Sequence, residues 1–305
     1  MSGAGKIALR LPATSANLGA GFDSAAVAFD FFLDVEAEPA SAYAIQSTGR
    51  DAERTSRIDG NLILGIYKRL LAEAGKPEQP IAIRMHNEIR LGMGCGSSAA
   101  GRLAAIVLAN HFGNLGWDSD RILHEACVLE GHPDNAAACW LGGFVAAASR
   151  EGREYIARVE PPSAWRAIVV LPPAPLPTSQ ARAVLPASYS RADVVSNLQS
   201  VSLLGLAFAQ GNGELLRAAM TDRIHQPYRE AICPLLPRLL PLSGSQGILG
   251  VALSGAGPSV LVIVESEDSV FPVSALIRNA VSDLPESELV VCRFQPIGAR
   301  QRISC

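Results

Sequence analysis

The sequence predicts an α+β protein of two units. Its 305 residues are more than one ordinary hydrophobic core holds. Through the first half, strand-like and helix-like stretches alternate. From Arg166 onward the order reads β-α-β-β-α-β, that of a ferredoxin-like split βαβ sandwich. With 49% apolar and 18% charged residues, the chain has enough core to exclude a disordered protein.

The elements follow from period and punctuation. Lys6 to Leu11, Val27 to Glu38 and Ile81 to His86 are strands by length, β-branching and alternation. Gly60 to Glu73 is a helix with Leu62, Ile66, Leu70 and Leu71 on one stripe. Ser97 to Phe112 is apolar nearly all round, hence a buried helix. Trp117 to Leu129 and Asp134 to Leu141 are two more, the last stopped by Gly142 and Gly143 ahead of a strand at Phe144 to Ala148. Residues 149 to 165 are charge-rich and then carry Pro161 and Pro162, which predicts a linker and units of 1–160 and 161–305. Beyond it come a strand (Arg166 to Leu171), helices (Asp193 to Ala209, Glu214 to Ala231), two strands (Gly247 to Leu253, Ser259 to Glu265), a helix (Val270 to Val281) and a strand (Leu289 to Phe294).

Composition narrows the partners. A net charge of −3 from 26 basic and 29 acidic residues, with no basic stripe, argues against nucleic acid. Met1 to Leu11 has no apolar run of signal-peptide length. The uncharged run that begins at Gln246 is broken by Gly250, Gly255, Gly257 and Pro258 and reads as strand and turn, so no membrane span is expected. Cys95, Cys127, Cys139, Cys233, Cys292 and Cys305 form no C-x-x-C pair, which fits reduced thiols in the cytoplasm. A homodimer is the expected assembly on base rates.

Residues 90 to 101 read Arg-Leu-Gly-Met-Gly-Cys-Gly-Ser-Ser-Ala-Ala-Gly. Alternate glycines let the backbone take positive φ and pass close to a bulky anion. The amides of the following helix N-terminus favour negative charge. The physical reading is a phosphate cradle, with a flexible loop before a buried helix as the plainer alternative. No lysine follows the last glycine, which excludes a Walker loop, and Ser97 breaks the dinucleotide spacing. No G-x-S-x-G elbow supports a serine hydrolase, and no His/Cys cluster suggests zinc. Cys95 has no base to pair with and reads as loop filler.

Pro12 to Asp23 follows a strand and gathers Thr14, Ser15, Asn17 and Asp23 among small residues, as a turn with polar side chains pointing inward. Together with the loop at 90–101 and Leu253-Ser-Gly-Ala-Gly-Pro-Ser259, it resembles the three signature motifs of the GHMP small-molecule kinases, in order and across nearly the whole chain. The homoserine kinase branch is matched further by Glu130-Gly-His-Pro-Asp-Asn135, by Thr178 to Arg182 ahead of a Leu-Pro, and by His225-Gln-Pro-Tyr-Arg229. Departures are Arg90, Met93 and Cys95 in the loop, where the branch commonly has proline, serine and leucine, and Ala136 to Ala138 after Asn135.

The resemblance implies a GHMP kinase fold, with an N-terminal nucleotide-binding unit, and transfer of phosphate from ATP to L-homoserine. It places the triphosphate on Leu91, Gly92, Met93, Gly94, Cys95, Gly96, Ser97, Ser98, Ala99, Ala100 and Gly101, and Mg²⁺ between Ser98 and Glu130. Hard oxygen ligands suit that ion. Asn61 is either the nucleotide-side asparagine or a helix cap. Asp23, with Asn17 beside it, would meet the substrate ammonium, and the guanidinium forks of Arg182 and Arg229 its carboxylate. His132 would hydrogen-bond substrate, unless it is a satisfied core histidine. Asp134 and Asn135 fall at the reacting centre. Related kinases use an aspartate there as general base, whereas homoserine kinases are thought to work without one, so Asp134 is either a base or an orienting group. Ser254 to Ser259 is expected to brace the phosphate loop across the cleft. Within the enzyme class the competitor is a GHMP kinase for another small alcohol, opposed by the paired arginines with Asp23. From a different class comes a catalytically dead binding module on the same fold, opposed by intact Ser98 and Glu130.

Overall fold

The computed structural model describes residues 5–304. Its first sheet is built on β1 (Lys6–Asn17) and β2 (Gly21–Pro39), an antiparallel pair. Ile7, Leu9 and Leu11 alternate into the core, but from Leu11 to Asn17 every residue is buried. The segment expected to be a turn from Pro12 therefore continues β1 past a bulge at Pro12/Ala13. The reversal comes later, where Asn17 and Leu18 take positive φ.

β3 (Ala44–Gly49) runs parallel to β4 (Ile81–Asn87). Sequence reading missed β3 because it is half exposed and carries no apolar alternation. The single turn α1 (Ala52–Thr55), with no buried residue, escaped for the same reason. α2 (Leu62–Glu73) begins where Asn61 Oδ1 accepts from the amides of Ile63 and Leu64. α3 (Ser97–Gly113) is buried on all sides, as its composition demands. α4 (Ser119–Glu130) and α5 (Asp134–Leu141) follow, joined by the turn that carries His132.

The supposed linker at 149–165 holds a strand: β5 (Phe144–Arg150) pairs with β6 (Arg153–Val159). The charge there marks an exposed hairpin edge. The sheet order is β11-β1-β2-β4-β3, with β5 on β2 and β6 on β5. The unforeseen β11 (Arg300–Ser304) brings the end of the chain back beside β1. Cys305 lies outside the described residues, and the other five cysteines are free and buried.

The second sheet contains β7 (Arg166–Leu171), β8 (Ile248–Leu253), β9 (Val260–Val264) and β10 (Glu288–Cys292). Its order β10-β7-β9-β8, antiparallel throughout, is the ferredoxin-like arrangement the element order predicts. Between β7 and β8 lie α6 (Thr178–Ala183), α7 (Arg191–Gln210), α8 (Gly213–Ala219), α9 (Gln226–Arg229) and α10 (Leu235–Leu239), and α11 (Glu267–Ala280) joins β9 to β10. The helix expected over Glu214 to Ala231 is thus broken. Asp222 accepts from the amides of Ile224, His225 and Gln226 and reverses the chain, so Arg229 ends the single turn α9 instead of lying within a long helix. α7 is long and apolar enough to cross a membrane by length and composition, yet its Leu204, Ala207 and Phe208 belong to the first core cluster. That cluster joins the two sheets through Trp165, Ala252, Leu261 and Ile263, while Ile168, Val170, Val260 and Val262 face a second cluster beneath α11.

Candidate active site

The glycine loop is locked in place by its neighbours. Gly92, Gly94 and Gly96 all have φ near +70° (72, 75 and 72°). A Cβ at Gly94 would lie 2.1 Å from Ser254 O, and one at Gly96 would lie 1.9 Å from Thr14 Oγ1. Ser254 Oγ lies 2.8 Å from Gly94 O and 2.9 Å from Ser15 Oγ, and the amide of Gly255 donates to Ala16 O. The expected brace from 254 to 259 is therefore present, and it ties β1, the loop and β8 together. Gly96 caps α3 without any side-chain acceptor for the helix amides. Those first-turn N–H groups are left for a ligand.

The loop separates two adjoining cavities of ≈ 380 and ≈ 470 Å³ that share Gly92, Ser97, Ser98 and Leu176. The larger is mainly apolar, lined by Leu62, Ile63, Met85, Ile89 and Pro175, with Asn61 at its wall. Asn61 is thus both helix cap and cavity residue. Leu91 and Gly101 also reach this cavity, and Gly94, Gly96 and Ala99 the smaller one. Met93, Cys95 and Ala100 line neither cavity and their side chains are buried in the first core, which leaves only their backbone to serve a phosphate cradle. Burial pushes the Cys95 thiol up to about 12, which leaves it inert.

The smaller cavity is the more polar of the two and is lined by all five expected substrate residues. Asp23 and Arg182 were expected to grip opposite ends of a ligand. In this structure they also pair with each other, Arg182 Nη1 and Nη2 donating to Asp23 Oδ2 and Oδ1 at 3.0 and 2.7 Å. The hydrogen bond from Arg182 to Asp23 raises the guanidinium pKa further. Asn17 is engaged at both ends: its Nδ2 donates to Gly255 O at 2.7 Å and its Oδ1 accepts from the Asp23 amide at 3.0 Å. It thereby ties the Asp23 backbone to Gly255 while lining the cavity. Arg229 is 1% exposed and lines the cavity. Its Nε donates to Ala181 O at 3.0 Å, and its Nη1 lies 3.0 Å from His225 Nδ1. Among the described residues no carboxylate pairs with it. Phe22 lies between the two arginines, with both guanidinium carbons 5.5 Å from its ring centre.

His132 and Asp134 lie beside Asp23, one side-chain N or O atom of each within 4.8 Å of the others. The His132 ring Nδ1 lies 2.5 Å from Asp134 Oδ1, which also accepts from the Asn135 amide at 2.6 Å. Asp134 Oδ2 is buried without a hydrogen-bond partner. Burial works to lower the His132 pKa, but the hydrogen bond and the charge of Asp134 outweigh it, and the net shift is upward. Asn135 Oδ1 accepts from Thr14 Oγ1 at 2.6 Å, which links this wall to the phosphate loop through β1.

Ser98 and Glu130 do converge, but a third residue stands between them. Arg102 Nη1 hydrogen-bonds Ser98 Oγ and Glu130 Oε1. A hydroxyl and a carboxylate that already bridge a cation form a suitable donor set for Mg²⁺. Sequence reading missed Arg102, although its place one helical turn after Ser98 on α3 was a usable signal. It gave no role to Phe22 and Ala256 on the cavity wall, and it placed Thr178, also on that wall, and Thr14 and His225 in matched motifs without assigning them a part in the site.

A phosphate loop at the N-terminus of a buried helix, opening on both a polar and an apolar cavity beside a ferredoxin-like unit, defines a small-molecule kinase. Family profiles described as GHMP kinases N terminal domain and GHMP kinases C terminal match residues 61–143 and 206–280. Homoserine kinase of Solibacter usitatus is 45% identical over 258 residues, 84% of each chain. That of Deinococcus radiodurans is 36% identical over 275 residues, 90% of this chain and 89% of that one. The chain belongs to the homoserine kinase family of the GHMP kinases. The solved homoserine kinase of Cytophaga hutchinsonii shares the fold, with a TM-score of 0.82 over 97% of both chains at 24% identity. The mevalonate kinase of L. major does so more distantly, with a TM-score of 0.69 over 93% of this chain and 95% of that one at 14% identity.

Proposed function

We propose that this protein transfers the γ-phosphoryl group of ATP to the side-chain hydroxyl of L-homoserine, giving O-phospho-L-homoserine and ADP in threonine biosynthesis in the cytoplasm. Arg229 carries the amino-acid reading. A buried guanidinium with no carboxylate of its own requires an anion to balance it, and it faces the cavity beside Asp23. A zwitterion supplies that anion together with an ammonium for Asp23, whereas a sugar or a plain hydroxy acid supplies at most one of the two charges.

In this reading the apolar cavity takes the adenine and the loop amides of 92–99 cradle the triphosphate. Ser98 and Glu130 would hold Mg²⁺, which neutralises phosphate charge when bound. Arg229 and Arg182 hold the substrate carboxylate, with Asp23 at the ammonium, and this fixes the hydroxyl in the direction of the loop. His132 and Asp134 border that position. Asp134 Oδ1 is engaged by His132 and the Asn135 amide, while its bare Oδ2 accepts the hydroxyl hydrogen bond and orients the nucleophile. Transfer of this kind depends chiefly on positioning and charge stabilisation. ADP release measured with homoserine, serine, threonine, mevalonate and galactose tests the assignment. Homoserine should raise it by orders of magnitude over water, and equal turnover of mevalonate would overturn it.

A further inference from the structure

The residue without a role in this scheme is Arg102. It sits on α3 one turn beyond Ser98, its side chain 23% exposed at the polar cavity wall, and it bridges Ser98 Oγ and Glu130 Oε1. These are the two oxygens to which the proposed function assigns the metal. A guanidinium and a divalent cation cannot share the same hydroxyl and carboxylate edge at contact distance, because their charges repel and each needs the same lone pairs. Metal binding therefore has to release the guanidinium.

Once released, the guanidinium needs a new anion. It is tethered to the helix whose first-turn residues, Ser97 to Ala99, line the same cavity. In the nucleotide reading, the anion brought to that turn is the phosphate chain on the loop. A planar fork with five donors matches phosphate oxygens, and it can make that contact without displacing the metal. We infer that Arg102 is a phosphate-binding residue held in reserve by Ser98 and Glu130, and that nucleotide phosphate draws it off these side chains and so frees them for the metal. This inference rests on the nucleotide reading above.

Two equilibrium consequences follow. Metal alone must break the Arg102 bridge with no new partner to offer it, so nucleotide-free protein binds metal weakly. Nucleotide supplies that partner, so metal and nucleotide binding become positively coupled, and by linkage the coupling is reciprocal. Arg102 also attracts nucleotide phosphate when metal is absent.

The test measures binding, with no turnover involved. Mn²⁺ affinity of nucleotide-free protein is read by electron paramagnetic resonance, and ADP affinity in excess EDTA by calorimetry, for wild type, Arg102→Met and Arg102→Lys. Methionine keeps an unbranched stem without the charge. The Met variant should bind Mn²⁺ alone at least about 10-fold more tightly and metal-free ADP at least about 10-fold more weakly, the scale of one charge-assisted contact. The Lys variant keeps charge without the fork, and its ADP affinity should fall between the two. Should the Met variant fail to fold, the Lys variant decides alone, and wild-type ADP affinity in it would overturn the inference. Unchanged Mn²⁺ affinity, or unchanged ADP affinity, in a folded Met variant would do the same and leave Arg102 a fixed strut. If wild type binds no ADP with or without metal, the nucleotide reading itself fails and this inference falls with it; ADP binding that ignores Arg102 overturns the inference alone.

Discussion

Arg229 Nη1 lies 3.0 Å from His225 Nδ1, and the other ring nitrogen, Nε2, lies 2.8 Å from Gly19 O. The carbonyl requires an N–H at Nε2, so Nδ1 is the acceptor and the ring is neutral. Burial lowers the pKa of His225, in keeping with that state. A neutral imidazole thus orients a buried cation from behind and leaves the cavity side of the guanidinium to the ligand. Arg229→Lys keeps the charge but loses the fork. The KM for homoserine should rise roughly 10- to 100-fold, the scale of a lost charge-assisted hydrogen bond, with the KM for ATP near wild type. A lower melting temperature with unchanged homoserine KM would show that Arg229 is only a structural pillar.

Arg182 makes a separate case, because it already has Asp23 as a bidentate partner. Arg182→Lys should also raise homoserine KM, through the substrate contact and through loss of the support that fixes Asp23. Combined with Arg229→Lys, the loss should be less than the sum of the two, since both guanidinium groups serve one carboxylate. Steady-state kinetics of the two single variants and the double variant give the coupling directly. Strict additivity would place the two arginines on different groups.

Much of this site was legible in the sequence because loop glycines, carboxylates and arginines announce their chemistry. Gly92, Gly94, Gly96, Ser97, Ser98, Glu130, Asp134 and Arg229 all line one or both of the cavities. The sequence does not say how charged groups pair among themselves. Asp23 and Arg182 face each other, and Arg102 closes the gap between Ser98 and Glu130, because contacts between residues 159 and 28 positions apart depend on packing. The fold was legible on the same terms. Buried strands and the all-round apolar α3 carry period and composition, whereas β3 and β6 are exposed edges whose polar sequences resemble loop. The break before α9 came from Asp222 capping three amides two to four residues on, a local turn hidden inside an apparently helical run.

Gly96→Ala tests the mechanical link between the phosphate loop and the reacting centre. The added methyl would meet Thr14 Oγ1, which donates to Asn135 Oδ1, and the backbone is left-handed at φ 72°. Strain of about 1–2 kcal/mol should lower Tm by roughly 2–8 °C. Displacement of Thr14 should reduce kcat by more than the melting shift alone accounts for. A variant of wild-type Tm and kcat would mean the loop relaxes freely.

Glu130→Gln keeps the side-chain shape and removes the ligand charge. The kcat should fall at least about 100-fold, on the scale of losing a principal electrostatic stabiliser, while the half-saturating Mg²⁺ concentration rises. Circular dichroism should show a folded protein, because Gln can still accept from Arg102. Full activity at low Mg²⁺ would remove Glu130 from the metal site.

His132 and Asp134 give the structure a pH signature whose sign is fixed. The His132 pKa is raised in the folded protein, where its contact with Asp134 outweighs burial, from an unfolded value near ~6.5. The folded state therefore holds the proton more tightly than the unfolded chain. The resulting stabilisation is fully present below about pH 6.5 and is lost as pH rises through the higher folded pKa. His132→Gln keeps a hydrogen-bonding side chain but has no proton to gain. Thermal melts of wild type and variant from pH 5.5 to 9 should differ most at the acid end and converge at the alkaline end. The variant should also leave Asp134 Oδ1 without a cationic neighbour, so its kcat profile should lose the limb that titrates with His132. A Tm gap that widens as pH rises would reverse the sign and show that His132 is neutral in the fold, set against Asp134 as a donor only.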